Sequence, residues 1–466
     1  MSIAKLKWLI WLVLTALAAS ALYAAISGHM DQSMLMPGPL SNGHHQLKDN
    51  CQTCHLDAFG GGEVLQKSCI NCHGNDRKKP DDSHPMTKFR DPRNAELLEK
   101  INALQCITCH SEHRLEITRK DGLTQPVDFC VHCHSKIGDD RPSHQGMEFN
   151  SCKTSGCHNY HNNRAIYTDF LVKHLDEPAL LARPKLKARE FGDIIEELAD
   201  YPHGDYPVQE LTPGDADYPQ TLQPDDQIIK QWAATAHARS GVNCSACHNI
   251  AVNDASEKSW MDQPGTAGCT LCHGTEVDRF KLGKHGMRLA SDLPAMQVSE
   301  ARLPMHETAA HQQLQCNSCH ADHDFNAQQA AVDACLNCHA DEHSLAYQDS
   351  PHAKAWQAEL DGTAKPDTGV SCASCHMPRI NFDVNEWVSR IMVDHNQSAN
   401  LSPNSKMVRQ VCMNCHGLDF SLKAMADNQQ INSNFAHSPD SKEHESMLLA
   451  RRDHERYLRE TSGMSE

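Results

Sequence analysis

The cysteines constrain this chain more than any other feature of its sequence. There are 22 of them among 466 residues, and every one belongs to a pair that is followed directly by histidine. Ten pairs have the spacing Cys-x-x-Cys-His, and they are Cys51 and Cys54, Cys69 and Cys72, Cys106 and Cys109, Cys130 and Cys133, Cys244 and Cys247, Cys269 and Cys272, Cys316 and Cys319, Cys335 and Cys338, Cys372 and Cys375, and Cys412 and Cys415. The remaining pair, Cys152 and Cys157, is two residues wider. We number these eleven motifs 1 to 11 in chain order, so that the wide pair is motif 5.

This spacing fits the covalent attachment of haem c. Two thiols one helical turn apart can add to the two vinyl groups of one porphyrin, and the next residue presents an imidazole to the iron. Zinc sites and disulfide frameworks also use paired cysteines, but neither requires histidine after every pair. The sequence therefore predicts eleven covalently attached haems, whose proximal iron ligands are His55, His73, His110, His134, His158, His248, His273, His320, His339, His376 and His416.

Composition indicates that these haems form the core. Only 39% of the residues are hydrophobic, cysteines included, and 5% are aromatic, which leaves a thin side-chain core for this length. The predicted fold class is mainly α with much irregular loop, a multihaem cytochrome c architecture with a haem-packed core and little or no sheet. Longer helices are predicted over residues 94–104, 326–336 and 442–459.

The motif spacing predicts two haem domains. A gap of 92 residues separates Cys152 from Cys244, and no other step exceeds 47. The expected organisation is a signal peptide or membrane anchor over 1–27, a pentahaem domain over 28–177, a Pro-rich acidic linker over 178–230, a hexahaem domain over 231–440 and a polar C-terminal helix or tail over 441–466. Motif steps of 18 and 37 residues from Cys51 are echoed by 19 and 37 from Cys316, which indicates reused haem-pair units.

The amino terminus has the features of an exported protein. Lys5 and Lys7 precede an apolar run over residues 8–26. The small residues around Ala18-Ala19-Ser20-Ala21 favour cleavage as a signal peptide, whereas the length of the run favours a retained anchor, which we prefer. Positive charge before the run predicts that the rest of the chain lies on the periplasmic side of the cytoplasmic membrane. A cleaved form would be soluble in the periplasm.

Histidine is abundant enough to supply a second axial ligand to every iron. Of 32 histidines, 21 lie outside the proximal positions. Imidazole on both faces keeps the iron six-coordinate and low-spin. The candidate distal ligands are His44, His45, His84, His113, His132, His144, His161 and His174 in the first half, and His237, His285, His306, His311, His323, His343, His352, His395 and His437 in the second. In contrast, His203, His444 and His454 are expected to be solvated.

Net charge narrows the class of partner. A formal charge of −17 excludes nucleic acid as a natural partner and favours basic redox proteins as electron donor or acceptor. The membrane is a further partner through the N-terminal segment. The sequence does not predict the oligomeric state.

Particular motifs resemble two known families. The first half resembles the class III low-potential cytochromes c, which are electron carriers, through its paired His44 and His45, its Cys-x-x-Cys-His-x-x-His from Cys106 to His113, and the wide pair of motif 5. The second half resembles the hydroxylamine oxidoreductase and multihaem nitrite reductase superfamily, through residues 284–286, 316–323, 335–339, 350–352 and 369–378. The nitrite reductases of that superfamily carry Cys-x-x-Cys-Lys at the catalytic haem, which this chain lacks, and nothing singles out Tyr347 as the cross-linking tyrosine of the hydroxylamine oxidoreductases. The resemblance therefore implies a haem-packing arrangement more than an activity.

Three functions are open at this point. The favoured one is an electron carrier of mostly bis-histidine haems in anaerobic respiration, running from a membrane or quinol-linked donor to periplasmic acceptors. The alternative is an oxidoreductase acting on nitrite, hydroxylamine or tetrathionate at one open haem in the second half, with His306, His311 or His395 as proton donors. A structural polymer is the third. The sequence identifies no catalytic residue.

Overall fold

The computed structural model of the chain describes residues 2–26, 36–48, 50–57, 60–77, 84, 91–114, 117–118, 123–125, 129–147, 160–161, 168–188, 209–251, 258–309, 313–383, 387, 389–401 and 406–462. Motif 5, His203 and His311 lie outside these residues.

Short helices joined by irregular loops make up most of the described chain, as predicted. The first helices are α1 (Ile3–Ile26), α2 (Gly62–Arg77), α3 (Ala95–Lys100), α4 (Cys106–Cys109) and α5 (Val131–His134). They are followed by α6 (Ile137–Asp140), α7 (Thr168–Lys173), α8 (Asp226–Ala233), α9 (Ala236–Arg239), α10 (Cys244–His248), α11 (Gly265–Leu282), α12 (Met287–Ala290), α13 (Asn317–His320), α14 (Ala327–Ala331), α15 (Asp333–Leu336), α16 (Glu342–Ala346), α17 (Pro351–Leu360), α18 (Cys372–His376), α19 (Gln397–Leu401), α20 (Met407–Gln410), α21 (Leu418–Ala426), α22 (Asn428–Asn432) and α23 (Glu445–Thr461).

The described residues contain two small antiparallel sheets of two strands each. Strand β1 (Asn249–Ala251) pairs with β2 (Lys258–Trp260), and β3 (Arg379–Asp383) pairs with β4 (Ser389–Val393). The prediction of a mainly α fold with little sheet is confirmed.

The described haem motifs lie on or beside helical turns, which bring both cysteines to one face. Helices α4, α10 and α18 consist of little else than motifs 3, 6 and 10. Polar caps start two of these turns: the Asn243 side chain accepts from the Cys244 amide at 2.8 Å, and the Ser371 hydroxyl accepts from the Ser374 amide at 3.2 Å. Motifs 2 and 7 lie instead within the longer helices α2 and α11.

The three longer helices predicted from the sequence are present in modified form. The first is reduced to α3. The second breaks into α14 and α15 at Val332, whose φ of −138° and ψ of −61° leave the helical region, so that the turn carrying Cys335 starts in a new direction. The third is α23, and its N-cap is His444, whose Nδ1 accepts from the Ser446 amide at 3.2 Å. His444 is therefore a half-buried capping residue rather than a solvated one.

Several of the buried hydrophobic side chains pack together in one small cluster. Leu171, Leu175, Val408, Leu418, Leu422, Met447 and Ala450 pack together from α7, α20, α21 and α23. Leu418 and Met447 have 0% exposed surface. A cluster of this size is far too small to be the core of the whole described chain, which agrees with the thin core expected from composition.

Contacts divide the chain into two compact units. The first contains residues 1–79 and 84–132, and the second contains residues 80–83 and 133–466. The domain boundaries taken from motif spacing remain a prediction. Among the described helices, α1 alone is long and apolar enough to cross a membrane, over Ile3–Ala24 with a mean hydropathy of 1.7, and its side chains make no buried contacts.

Replacing a core side chain of the cluster tests whether it contributes to stability. We expect Leu418→Ala to lower the free energy of unfolding by about 2–5 kcal/mol, because it leaves a cavity between α7, α21 and α23. The matched control is Leu360→Ala at the end of α17, where the side chain is 39% exposed and the expected change is about 0.5 kcal/mol. Denaturant unfolding of the haem-loaded protein, followed by far-ultraviolet circular dichroism, measures both. Equal unfolding midpoints for the two variants would contradict the assignment.

Candidate haem sites

Seven motif histidines each face a second histidine from elsewhere in the chain. The ring centroids are 5.8 Å apart for His73 and His44, 6.1 Å for His273 and His237, 5.9 Å for His248 and His323, 6.2 Å for His339 and His285, 6.3 Å for His320 and His395, 5.9 Å for His376 and His343, and 6.2 Å for His416 and His352. Every pair joins one motif histidine to one predicted distal candidate.

These separations fit two imidazoles on opposite sides of one iron. An imidazole nitrogen lies about 2 Å from a bound metal, and the ring centre about 1 Å farther, so two such rings are about 6 Å apart. The rings of His248 and His323 are parallel within 1° at 5.9 Å, a separation too wide for direct stacking contact. The residues present therefore fit haem iron.

Zinc and disulfide bonds do not account for the same residues. No group of three or more His, Cys, Asp or Glu side chains among the described residues could hold a metal ion by itself. The described cysteines all carry free thiols.

Cysteines of consecutive motifs meet in an alternating pattern. As free thiols, the first cysteines of neighbouring motifs lie in hydrogen-bonding contact in three places, and these contacts raise the pKa of Cys69, Cys269 and Cys335 through Cys106, Cys316 and Cys372 respectively. Elsewhere the second cysteine lies near the next motif. Burial raises the pKa of Cys319 to about 11 and of Cys375 to about 12, with added contributions from the cysteines of motifs 9 and 11.

The same proximity links motif 1 to motif 2 and motif 6 to motif 7. Burial raises the pKa of Cys54 and of Cys247, and Cys72 adds to the first while Cys269 and Cys272 add to the second. The attachment points therefore form two unbroken series, one through motifs 1 to 3 and one through motifs 6 to 11. Raised pKa values keep the thiols of Cys54, Cys247, Cys319 and Cys375 protonated, and hence weakly nucleophilic, before attachment, whereas the hydrogen bond with Cys269 lowers the pKa of Cys316 to about 7.

Burial keeps several of the paired imidazoles neutral. Desolvation lowers the pKa of His285, His352 and His376 to about 4, with a smaller contribution in each case from the facing histidine. Iron binds neutral imidazole, so these rings are in the required state at neutral pH.

Hydrogen bonds at Nδ1 orient many of the motif and candidate distal rings, and a ring that donates from Nδ1 has Nε2 as the nitrogen available to an iron. Backbone carbonyls accept from most of them: Met261 from His248 at 2.7 Å, Ala179 from His416 at 2.9 Å, Val393 from His395 at 3.0 Å, Gly38 from His113 at 2.9 Å, and Ile431 from His343. Two histidines have a carboxylate acceptor instead, Glu112 for His44 at 2.7 Å and Glu177 for His174 at 2.5 Å. Such partners fix the tautomer and the ring orientation.

Backbone conformation directs the histidine that ends a Cys-x-x-Cys-His-x-x-His motif. His113 and His323 have φ of 61° and 64°, in the left-handed region that is unusual for a residue with a Cβ. This reversal turns the His323 ring away from its own motif and toward His248 of motif 6. The expectation that this histidine serves a neighbouring haem agrees with that contact.

Two further candidate histidines have fixed surroundings: a buried ion pair anchors the loop of His395, and close backbone packing holds the turn of His285. Asp394 is 2% exposed and receives two hydrogen bonds from Arg279, at 2.8 and 2.5 Å, which anchors the loop that carries His395. His285 is followed directly by Gly286, where a Cβ would lie 2.2 Å from the Phe280 carbonyl oxygen. Only glycine allows this approach.

The remaining distal candidates are less clearly placed. His306, His437, His132 and His161 are exposed, whereas His45, His84 and His113 are half-buried. Burial is the main cause that lowers the pKa of His144. The charges of Arg141 and His134 lower it further, which indicates that His144 lies near His134. His174 packs on Phe170 with ring centroids 4.5 Å apart. For this group the distal role stays a prediction.

Sequence reasoning missed the residues behind the ligands. Glu112, Glu177 and Asp394 hold or anchor candidate histidines, yet in the sequence they resemble other acidic surface residues. The one available signal was position, since Glu112 directly precedes His113, Asp394 directly precedes His395, and Glu177 lies three residues after His174.

Comparison with known proteins identifies one segment. Residues 43–135 match the family model described as Cytochrome c3. No curated protein and no solved structure matched, so the resemblance of the second half to the hydroxylamine oxidoreductases has no support from these comparisons. The matched segment contains motifs 1 to 4, and its family implies covalently bound haem c and redox partners. With the cysteine and histidine pattern of the whole chain, this match supports a multihaem c-type cytochrome that transfers electrons.

Proposed function

We propose that this protein is an undecahaem electron carrier that takes electrons from a membrane or quinol-linked donor and passes them to periplasmic acceptors. One observation carries the proposal: all six motif histidines from His248 to His416 face a second histidine at 5.9–6.3 Å. An oxidoreductase with its open haem in the second half needs one of these positions vacant. The pairing therefore favours electron transfer over catalysis.

The proposal includes specific distal ligands. His44 serves motif 2, His323 motif 6, His237 motif 7, His395 motif 8, His285 motif 9, His343 motif 10 and His352 motif 11. His113 serves motif 1, because its position and its left-handed backbone correspond to those of His323, whose partner is His248 of motif 6. His144 serves motif 4, because it lies near His134.

Bound haem c supplies one-electron chemistry through its iron, which cycles between Fe(III) and Fe(II). The chain's own residues keep both axial ligands in place, through the Nδ1 hydrogen bonds of His248, His395 and His416. The contacting cysteines hold successive attachment points side by side. Tyr347, which could have marked an enzyme through a cross-link, is 4% exposed and donates its hydroxyl to the Val370 carbonyl at 2.9 Å, an ordinary structural contact.

The same proposal places the protein at the periplasmic face of the cytoplasmic membrane. Helix α1 is the anchor, because it is apolar and its side chains are exposed. Small basic redox proteins are the expected soluble partners, because the formal charge of the chain is −17.

Removal of one proposed distal ligand should open one iron. We expect the oxidised wild-type protein to be low-spin throughout residues 244–416, and His323→Ala to convert the haem of motif 6 to high-spin. Electron paramagnetic resonance of the fully oxidised protein measures this change. The control is His306→Ala, because His306 is exposed and lies near the same group of motifs. A high-spin haem in the wild-type second half that binds nitrite or hydroxylamine would overturn the proposal in favour of an enzyme.

Acid should weaken the fold through the neutral imidazoles. Burial lowers the pKa of the His352 ring, and the proposed bond to iron occupies the nitrogen that would take up the proton, so the unfolded state, with a pKa of about 6.5, is protonated first. Its contribution to stability is complete above pH 6.5 and is lost as the pH falls toward 4. Denaturant midpoints of the haem-loaded protein at pH 7, 5.5 and 4 measure the slope. We expect His352→Gln to flatten it and His437→Gln, at an exposed position, to leave it unchanged; the reverse order would refute this reading.

A further inference from the structure

Two parts of the chain repeat one arrangement of three motifs. We call residues 44–113 the first module and residues 237–323 the second module. In each, a histidine seven residues before the first cysteine faces the proximal histidine of the second motif: His44 with His73 at 5.8 Å, and His237 with His273 at 6.1 Å.

The later parts of the modules also correspond. The first cysteines of the second and third motifs lie in contact as free thiols in both, Cys69 with Cys106 and Cys269 with Cys316. Three residues after the proximal histidine of each third motif lies a histidine with a left-handed backbone, His113 at φ of 61° and His323 at φ of 64°. Motif 2 is therefore equivalent to motif 7, and His44 is equivalent to His237.

The modules differ in what lies behind this equivalent histidine. His44 Nδ1 donates to Glu112 Oε1 at 2.7 Å. Ser41 holds the same carboxylate, with its amide at 2.5 Å and its hydroxyl at 2.6 Å. The Glu112 side chain therefore accepts three hydrogen bonds, from the His44 ring and from the Ser41 amide and hydroxyl, which is a favourable environment for a carboxylate.

The second module lacks each part of this arrangement. Asp322 stands where Glu112 does, one residue before the left-handed histidine, but its side chain is one methylene shorter, and it is exposed and accepts from Asn317 at 3.0 Å. Ala234 stands where Ser41 does, three residues before the equivalent histidine. His237 Nδ1 is buried and makes no hydrogen bond within the described chain.

We propose that Glu112 is a positioning residue that makes the haem of motif 2 a stronger reductant than the equivalent haem of motif 7. A carboxylate that accepts from Nδ1 increases the basicity of the imidazole, which stabilises Fe(III) more than Fe(II). The one-electron couple at motif 2 therefore shifts toward the oxidised form. His237 has no such acceptor, so the couple at motif 7 does not shift in this way.

This inference rests on the proposed ligation of motif 2 by His44, and it adds a direction of electron transfer between the two modules. An electron on the haem of motif 2 has a higher free energy than one on the haem of motif 7. The difference would make the first module the electron-donating one of the two. Because both modules have the same motif arrangement, the difference comes from residues outside the motifs' cysteines and proximal histidines.

The test is a redox titration of the complete haem-loaded protein carrying Glu112→Gln. Glutamine keeps the size of the side chain and removes the charge. We expect the equilibrium of one haem to shift about tenfold toward the reduced form, which corresponds to about 59 mV for a one-electron couple. A mediated potentiometric titration, monitored by optical and electron paramagnetic resonance spectra, measures how far the midpoint potential of one haem shifts while the others stay in place. The matched control is Asp322→Asn, which removes the equivalent charge of the second module and should leave all potentials unchanged.

The outcomes separate this inference from the proposed function. If all haems stay low-spin and no potential moves in E112Q, Glu112 has only a structural role and the inference is wrong, while the carrier proposal stands. An equal shift in D322N would also overturn the inference, because nearby charge alone would explain it. If the haem of motif 2 is high-spin in the wild type, the ligation itself is wrong. Should E112Q fail to mature, Ser41→Ala keeps the carboxylate but removes its 2.6 Å hydrogen bond, and a smaller shift in the same direction is expected.

Discussion

Everything else in this protein depends on the bond between a cysteine pair and a porphyrin, with a histidine beside it on the iron. The attachment is covalent, so each haem is tied to a fixed point of the chain before any tertiary packing forms. A second imidazole then has to arrive at about 6 Å from the first across the iron. The seven histidine pairs at 5.8–6.3 Å show the backbone arranged around that requirement.

This requirement explains the unusual balance of structure. Haem-bearing turns are short because one helical turn is enough to align two thiols. Long amphipathic helices are unnecessary where the porphyrin supplies the apolar surface, and the side-chain cluster around Leu418 and Met447 is small. Polar contacts then fix the loops that carry the candidate histidines, as the two hydrogen bonds from Arg279 to Asp394 do beside His395. Breaking such a buried ion pair is costly, because it leaves an uncompensated charge.

The two modules share one arrangement of three motifs and differ in the group behind one equivalent histidine. Both use the same spacing from histidine to first cysteine and the same left-handed turn at the third motif. The contrast lies in one acidic side chain, which reaches the ligand in one module and the solvent in the other. Under the proposed ligation, such an acceptor would change the potential of one haem without disturbing the ligands of its neighbours, since it lies behind the imidazole rather than on the iron.

The sequence by itself predicted the attachment sites and determined the class of fold, because the cysteine spacing and the following histidine are local features. It also predicted a surplus of distal histidines, and seven of those candidates stand opposite motif histidines. Only the tertiary structure decided which histidine faces which motif, because the partners are far apart in the chain: His395 faces His320, and His285 faces His339. The sequence could not predict the acceptors at Nδ1 either, since a backbone carbonyl such as that of Ala179 carries no sequence signal. Glu112 and Asp322 occupy equivalent positions in the sequence, and only folding brings a histidine ring within reach of Glu112.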